Sequence, residues 1–179
     1  MEWNVIVTIR PGPQHEHEAL SALAQFGRFR ATHFRDLCLG QVRETAIFLE
    51  ALRTALEQGA RWRDCIARVI PAEQTFSFSS GTLEERLKQA VAPLAARMSK
   101  GSFCVRIERR GLAGKGRTRE IEAALGDHLS ELAAAQGTEL RIDLEDPDFV
   151  VAAEIVGPEC GVSLLPRALR ERYPFVQTR

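Results

Sequence analysis

The sequence predicts an α/β protein of the α+β kind, built as two successive units. Three observations carry that prediction. The chain has 179 residues and is 45% hydrophobic, enough for one ordinary core or two small ones. Before Thr75, short apolar runs follow one another in the order β-α-β-β-α-β. The polar, small-residue stretch "TFSFSSGT" (Thr75–Thr82) then separates this pattern from a second set of strands and helices. The expected units are residues 1–76 and residues 77–179, the second ending in a short basic tail with Arg167, Arg170 and Arg172.

Each element has a local reason. "EWNVIVTIR" alternates Trp3, Val5, Val7 and Ile9 to one side of a strand. "PQHEHEALSALAQFG" reads as a helix with Pro13 near its start and Gly27 as its stop. "RFRATHFRDLCLGQV" predicts two short strands meeting at a turn. "RETAIFLEALRTALEQG" is a helix whose apolar face is expected to hold Ile47, Leu52, Ala55 and Leu56, with Gly59 past its end. "DCIARVI" closes the unit as a strand, and the whole order is the ferredoxin-like plan.

In the second unit, Thr82 and Glu85 have the spacing of a capping box, opening a helix toward Met98 that Pro93 should kink or split. "SFCVRIERR" is a strand with Phe103, Val105 and Ile107 on one face and Arg106, Glu108 and Arg110 on the other. A glycine-rich loop leads into a helix from about Arg117 to Ala135, with Ile121, Leu125, Leu129 and Leu132 inward and Gly137 as stop. "ELRIDL" is a strand, "EDPD" a turn, and the continuously apolar "FVVAAEIV" a strand expected at the centre of its sheet. "CGVSLLP" supplies a further short strand.

Composition excludes several classes of function. No window provides the roughly 20 apolar residues that cross a bilayer, and the N-terminal stretch lacks the features of a signal peptide, so the expectation is a cytoplasmic protein without a membrane partner. Cys38, Cys65, Cys104 and Cys160 lie far apart with no CxxC pair, which favours small buried hydrophobes over a disulfide framework or zinc site. "HEHE" opens a helix, where residues two apart point to different faces, so no metal is expected there. The acids Asp143, Glu145, Asp146 and Asp148 lack the spacing of a calcium loop. His128 is expected beside an apolar stripe, and Asp127, Ser130 and Ser163 make no nucleophile arrangement with a histidine. No catalytic residue and no cofactor is expected.

Charge carries the functional signal. The chain holds 24 Lys and Arg against 24 Asp and Glu, yet Arg97 to Arg119 contains eight basic residues and one acid, Glu108. The signs are segregated, which creates a local field that net charge does not report. "GLAGKGRT" is not a nucleotide P-loop, because Gly111 and Gly114 are too close and Gly116 follows Lys115. Two readings remain: a solvated basic loop, or a phosphate site in which guanidinium forks and a helix N-terminus meet a nucleic-acid backbone. In the first unit, Arg28, Arg30 and Arg35 interleave with Phe29, His33 and Phe34. That mixture suits phosphates and unpaired bases, or it is an ordinary hairpin with its phenylalanines in the core.

The succession "SFCVRIERRG…GRTREIEAALGDHL…RIDLEDPDFVVAAEIVG…CGVSLLP" resembles a THUMP domain, over roughly Thr82 to Pro166. The unit before it is similar to the ferredoxin-like domain that usually precedes THUMP, and the arrangement is similar to the adapter family that assists tRNA cytidine acetylation. The resemblance implies a mixed sheet with flanking helices and binding of the tRNA acceptor stem and 3′ CCA end. It also implies a separate tRNA-modifying enzyme, such as an acetyltransferase, as partner. Arg106, Arg109, Arg110, Lys115, Arg117 and Arg119 fall in the matching basic strand-loop-helix region; Arg30, His33 and Arg35 are the candidates in the hairpin. The alternatives are a self-sufficient metal-dependent RNA-modifying enzyme and a protein-interaction module.

Overall fold

A computed structural model describes residues 2–111 and 117–179. Packing divides the chain into two compact units, one of residues 1–72 with 170–177 and one of residues 73–169 with 178–179.

The first unit follows the expected order. β1 (Val5–Ile9), α1 (His15–Leu23), β2 (Gly27–Ala31), β3 (Leu37–Val42), α2 (Thr45–Glu57) and β4 (Ile66–Pro71) succeed one another, with a 3₁₀ turn at Arg61–Cys65 before β4. The sheet order is β2-β3-β1-β4. All its pairs are antiparallel, with Val7 opposite both Cys38 and Val69. This is the ferredoxin-like arrangement, in which the two helices bury apolar stripes against one sheet. α1 buries Ala19 and Leu23, and α2 buries Phe48, Leu49 and Leu52.

Two local expectations change. Ile47 is 63% exposed, because the buried stripe of α2 is centred on Phe48 and Leu52, about 100° round the helix from it. Gly27 opens β2 rather than closing α1, which already ends at Leu23. A Cβ at Gly27 would lie 2.5 Å from the Gln41 carbonyl oxygen, so close strand pairing explains the glycine.

Residues 170–177 complete this unit. The Val69 N–H donates to the Phe175 carbonyl, Val176 is buried, and the Tyr173 hydroxyl donates to Glu50 at 2.8 Å. Glu50 also receives Arg53 and Arg172. Arg53, then Tyr173, then Arg172 pull its carboxyl down to about 2.

The second unit begins with β5 (Gln74–Ser77), so the boundary expected after residue 76 falls inside a strand. α3 (Leu83–Val91) follows. Its expected capping box is not formed: the Thr82 hydroxyl interacts with the Ser79 backbone instead of a helical N–H. Pro93 splits the next stretch as expected, giving a 3₁₀ turn at Ala92–Arg97. Then come β6 (Gly101–Arg110), α4 (Thr118–Ala135), β7 (Leu140–Ile142), β8 (Phe149–Val156), β9 (Glu159–Pro166) and α5 (Arg167–Arg172). Gly137 follows α4 with φ 80°, the left-handed conformation that ends a helix.

The five-stranded sheet runs β5-β9-β8-β6-β7, and β8 lies at its centre as its apolar run requires. It is mixed: β6 pairs in parallel with β7 and β8, while β9 is antiparallel to β8 and β5. One face packs against α3 and α4, where Phe103, Val105, Leu87, Leu125, Leu129 and Val151 share a core cluster. Each leucine buried there contributes about 1.5–3 kcal/mol relative to exposure. All four cysteines are buried free thiols. Among the described residues, no helix is long and apolar enough to cross a membrane.

Candidate nucleic-acid interface

Strand β6 carries the first half of the basic segment, and its alternation sorts the charges. Phe103 and Val105 face the helices, whereas Arg106, Glu108 and Arg110 lie on the opposite face. The Arg106 guanidinium donates to the Leu144 carbonyl at 2.5 Å. Arg110 is ion-paired with Glu108, and Arg179 Nη2 reaches the same carboxylate at 2.6 Å. The Arg110 and Glu108 side chains are only 20% and 14% exposed. Much of the positive charge on this strand is therefore answered within the unit. Arg109 is half-buried, with its Nε shielded from solvent and no hydrogen-bond partner for that atom among the described residues.

The second half of the segment is different. Lys115 lies outside the described residues. Arg117 is the residue before α4, and Arg119 sits in that helix's first turn; both are exposed. Neither forms an ion pair or side-chain hydrogen bond with another described residue. The start of an 18-residue helix presents unsatisfied N–H groups and the positive end of its dipole. Two open guanidiniums at that point make it the part of the unit best suited to a phosphate oxygen.

The hairpin residues lie in the first unit. Arg30 is exposed on edge strand β2, while His33 is exposed with its ring 3.9 Å from that of Phe34. The Arg35 side chain is 90% exposed, 3.8 Å from an Asp36 oxygen. Phe29 takes the structural role. It packs on Phe48, and a Cβ on Gly40 would meet its ring at 2.2 Å, so only glycine fits beneath it. The candidates thus fall on two units.

The acids of "EDPD" have structural work. Asp143 Oδ1 accepts the N–H groups of Asp146 and Glu145, which hold its carboxyl below the ordinary range. Asp148 accepts the backbone N–H and the hydroxyl of Ser102, and these likewise lower it. Arg167 bridges Asp146 and Asp148. Among the described residues, no three His, Cys, Asp or Glu side chains gather as a metal site. Ser163 is buried on β9 and His128 is half-buried on α4.

Sequence reasoning missed Glu108 as the acid that answers Arg110 and Arg179. The signal was present, since alternation alone sets Glu108 beside Arg110 on one face. It also missed a groove of about 470 Å³ beside α4, lined by Val105, Arg106, Ala123, Gly126, Ile142 and Leu144 among others.

Residues 82–165 match the family model of the THUMP domain. Three solved structures are similar across 91% of this chain. PH1313 from Pyrococcus horikoshii shares 14% identity with a TM-score of 0.62. TrmN from Thermus thermophilus shares 16% with a TM-score of 0.59, and a 4-thiouridine synthetase in complex with RNA and ATP shares 19% with a TM-score of 0.57. This chain spans 55%, 45% and 41% of those three chains, about half their length or less. At such identities the likeness is one of fold. No curated protein matches the sequence.

Proposed function

Since residues 82–165 form a THUMP domain, we propose that this protein binds tRNA in the service of tRNA modification, holding the acceptor stem and 3′ CCA end. The observation that carries the reading is the start of α4, where Arg117 and Arg119 are exposed beside a helix N-terminus inside the THUMP segment. Guanidiniums there form charge-assisted bonds to phosphates at little cost in rearrangement. The finer reading is an adapter acting in the cytoplasm, non-catalytic itself, that presents tRNA to a separate modifying enzyme. By the family resemblance that enzyme is an acetyltransferase. The similar 4-thiouridine synthetase was solved with RNA, which agrees with an RNA-facing role for the shared fold.

The test is binding of a minihelix with a 3′ CCA overhang against a blunt duplex of equal length, with and without the partner enzyme. The expected result is tighter binding of the overhang-bearing RNA, with the preference abolished by Arg117→Ala together with Arg119→Ala. Equal affinity for both RNAs, with the partner supplied, defeats the proposal.

A further inference from the structure

Strand β6 is ten residues long, but its outer neighbour β7 has three and pairs with it only at Gly101, Ser102 and Phe103. Beyond Phe103, among the described residues, no strand pairs with β6 on that side. An unpaired strand edge is a template for another strand, and proteins normally shorten, charge or cover it. Here the edge is roofed by a helix that leaves room. Where α4 lines the groove it contributes Ala123 and Gly126 between the charged Arg119, Glu122 and Asp127. At the near end stand Ile142 and Leu144, 46% and 61% exposed. They are two of the three large hydrophobics exposed among the described residues.

One hydrogen bond shows what the edge lacks. The Ile107 N–H points outward and donates to Glu122 Oε1 at 2.8 Å. That carboxylate oxygen stands where the carbonyl of a pairing strand would stand. By alternation, the Val105 and Arg109 amides share the same edge.

We propose that this notch receives an extended segment of another protein, which continues the line of β7 as a guest strand along β6. The groove's chemistry defines that segment. Apolar side chains at alternate positions pack against Val105, Ala123, Ile142 and Leu144, and basic residues flank them. Glu122 and Asp127 border the notch, and Glu145 follows Leu144 in the turn. Those carboxylates favour cationic flanks; of the two arginines that also line the groove, Arg106 is held by the Leu144 carbonyl and Arg119 stands at one end. The docking surface shares Arg119 with the tRNA reading but otherwise uses the strand edge, Ala123, Gly126, Ile142 and Leu144, none of which that reading invokes.

The probe is a peptide of alternating valine and threonine with a lysine at each end, added to the full chain. Amide exchange at Arg109 is expected to slow at least tenfold. The same peptide with terminal glutamates, or with alternate backbone amides methylated, is expected to bind at least tenfold more weakly. Ala123 is exposed, so Ala123→Phe fills the notch without entering the core. It should abolish peptide binding while the thermal melt and minihelix affinity stay unchanged. Unaltered Arg109 exchange at saturating peptide, or full peptide affinity in a folded Ala123→Phe protein, overturns the proposal. So does protection of Arg109 by the minihelix, which would assign the groove to RNA. Self-association that Ala123→Phe removes also overturns it, by assigning the edge to a second copy.

Discussion

The arginines of the basic segment are unequal, and salt dependence measures the inequality. A minihelix with a CCA overhang would be titrated by fluorescence anisotropy between about 50 and 300 mM salt, a range in which released counterions set the slope of log K against log salt. Each phosphate contact to a single strand contributes about −0.7 to that slope. Arg117 and Arg119 are exposed and have no anionic partner among the described residues. Replacing both with alanine should therefore flatten the slope by about 1.4, or about 25-fold in affinity at 0.1 M salt relative to 1 M. Arg110 is 20% exposed and paired with Glu108, so Arg110→Ala should change the slope by well under half a contact, about 0.3 or less. Glu108→Gln should act in the opposite direction, since it releases both Arg110 and Arg179. A wild-type slope in the Arg117/Arg119 double variant would refute the assignment of phosphate binding to the start of α4. An Arg110→Ala effect equal to that of Arg117→Ala would refute the quenching by Glu108.

Two further expectations concern stability. Glu50 has a folded-state value of about 2 against an ordinary 4.5, so its stabilising effect is complete above about 4.5 and is lost as pH falls through about 2. Glu50→Gln should therefore lower the melting temperature at pH 6, and the gap from wild type should narrow as pH falls from about 4.5 and close below about 2; a gap independent of pH would mean that the charge is not responsible. Leu129 is fully buried at the centre of α4, so Leu129→Ala should cost about 2–5 kcal/mol in urea unfolding, and a loss below about 1 kcal/mol would show that the core collapses around the cavity.

The fold was legible where burial and periodicity agree. The order of elements in the first unit and the central place of β8 follow from hydrophobic spacing, because strand and helix periods differ enough to be separated by eye. The misses are of one kind. Ile47 belongs to the apolar pattern of α2, yet Phe48 competes for the same inward arc and wins by size. Thr82 has the right spacing for a capping box, but its hydroxyl finds the Ser79 backbone closer than any helical amide. The site was legible as a concentration of charge and not as a set of open charges. The Arg110–Glu108 pair follows from strand alternation, but its third member, Arg179, lies far along the chain and no local pattern encodes it.

The junction of Val69 with Phe175 has a consequence for how the molecule is made. The unit that starts the chain is completed by residues 170–177, so the second unit is an insertion within the first. As the chain leaves the ribosome, β1 to β4 emerge early and must wait, with β4 lacking the Phe175 carbonyl, until residues 73–169 have also been made. The THUMP-bearing unit, by contrast, has nearly all its own residues once Leu169 is out. Synthesis order and folding order are therefore reversed: the part made first is finished last. The first unit is thus closed by a segment that follows nearly the whole of the second along the chain.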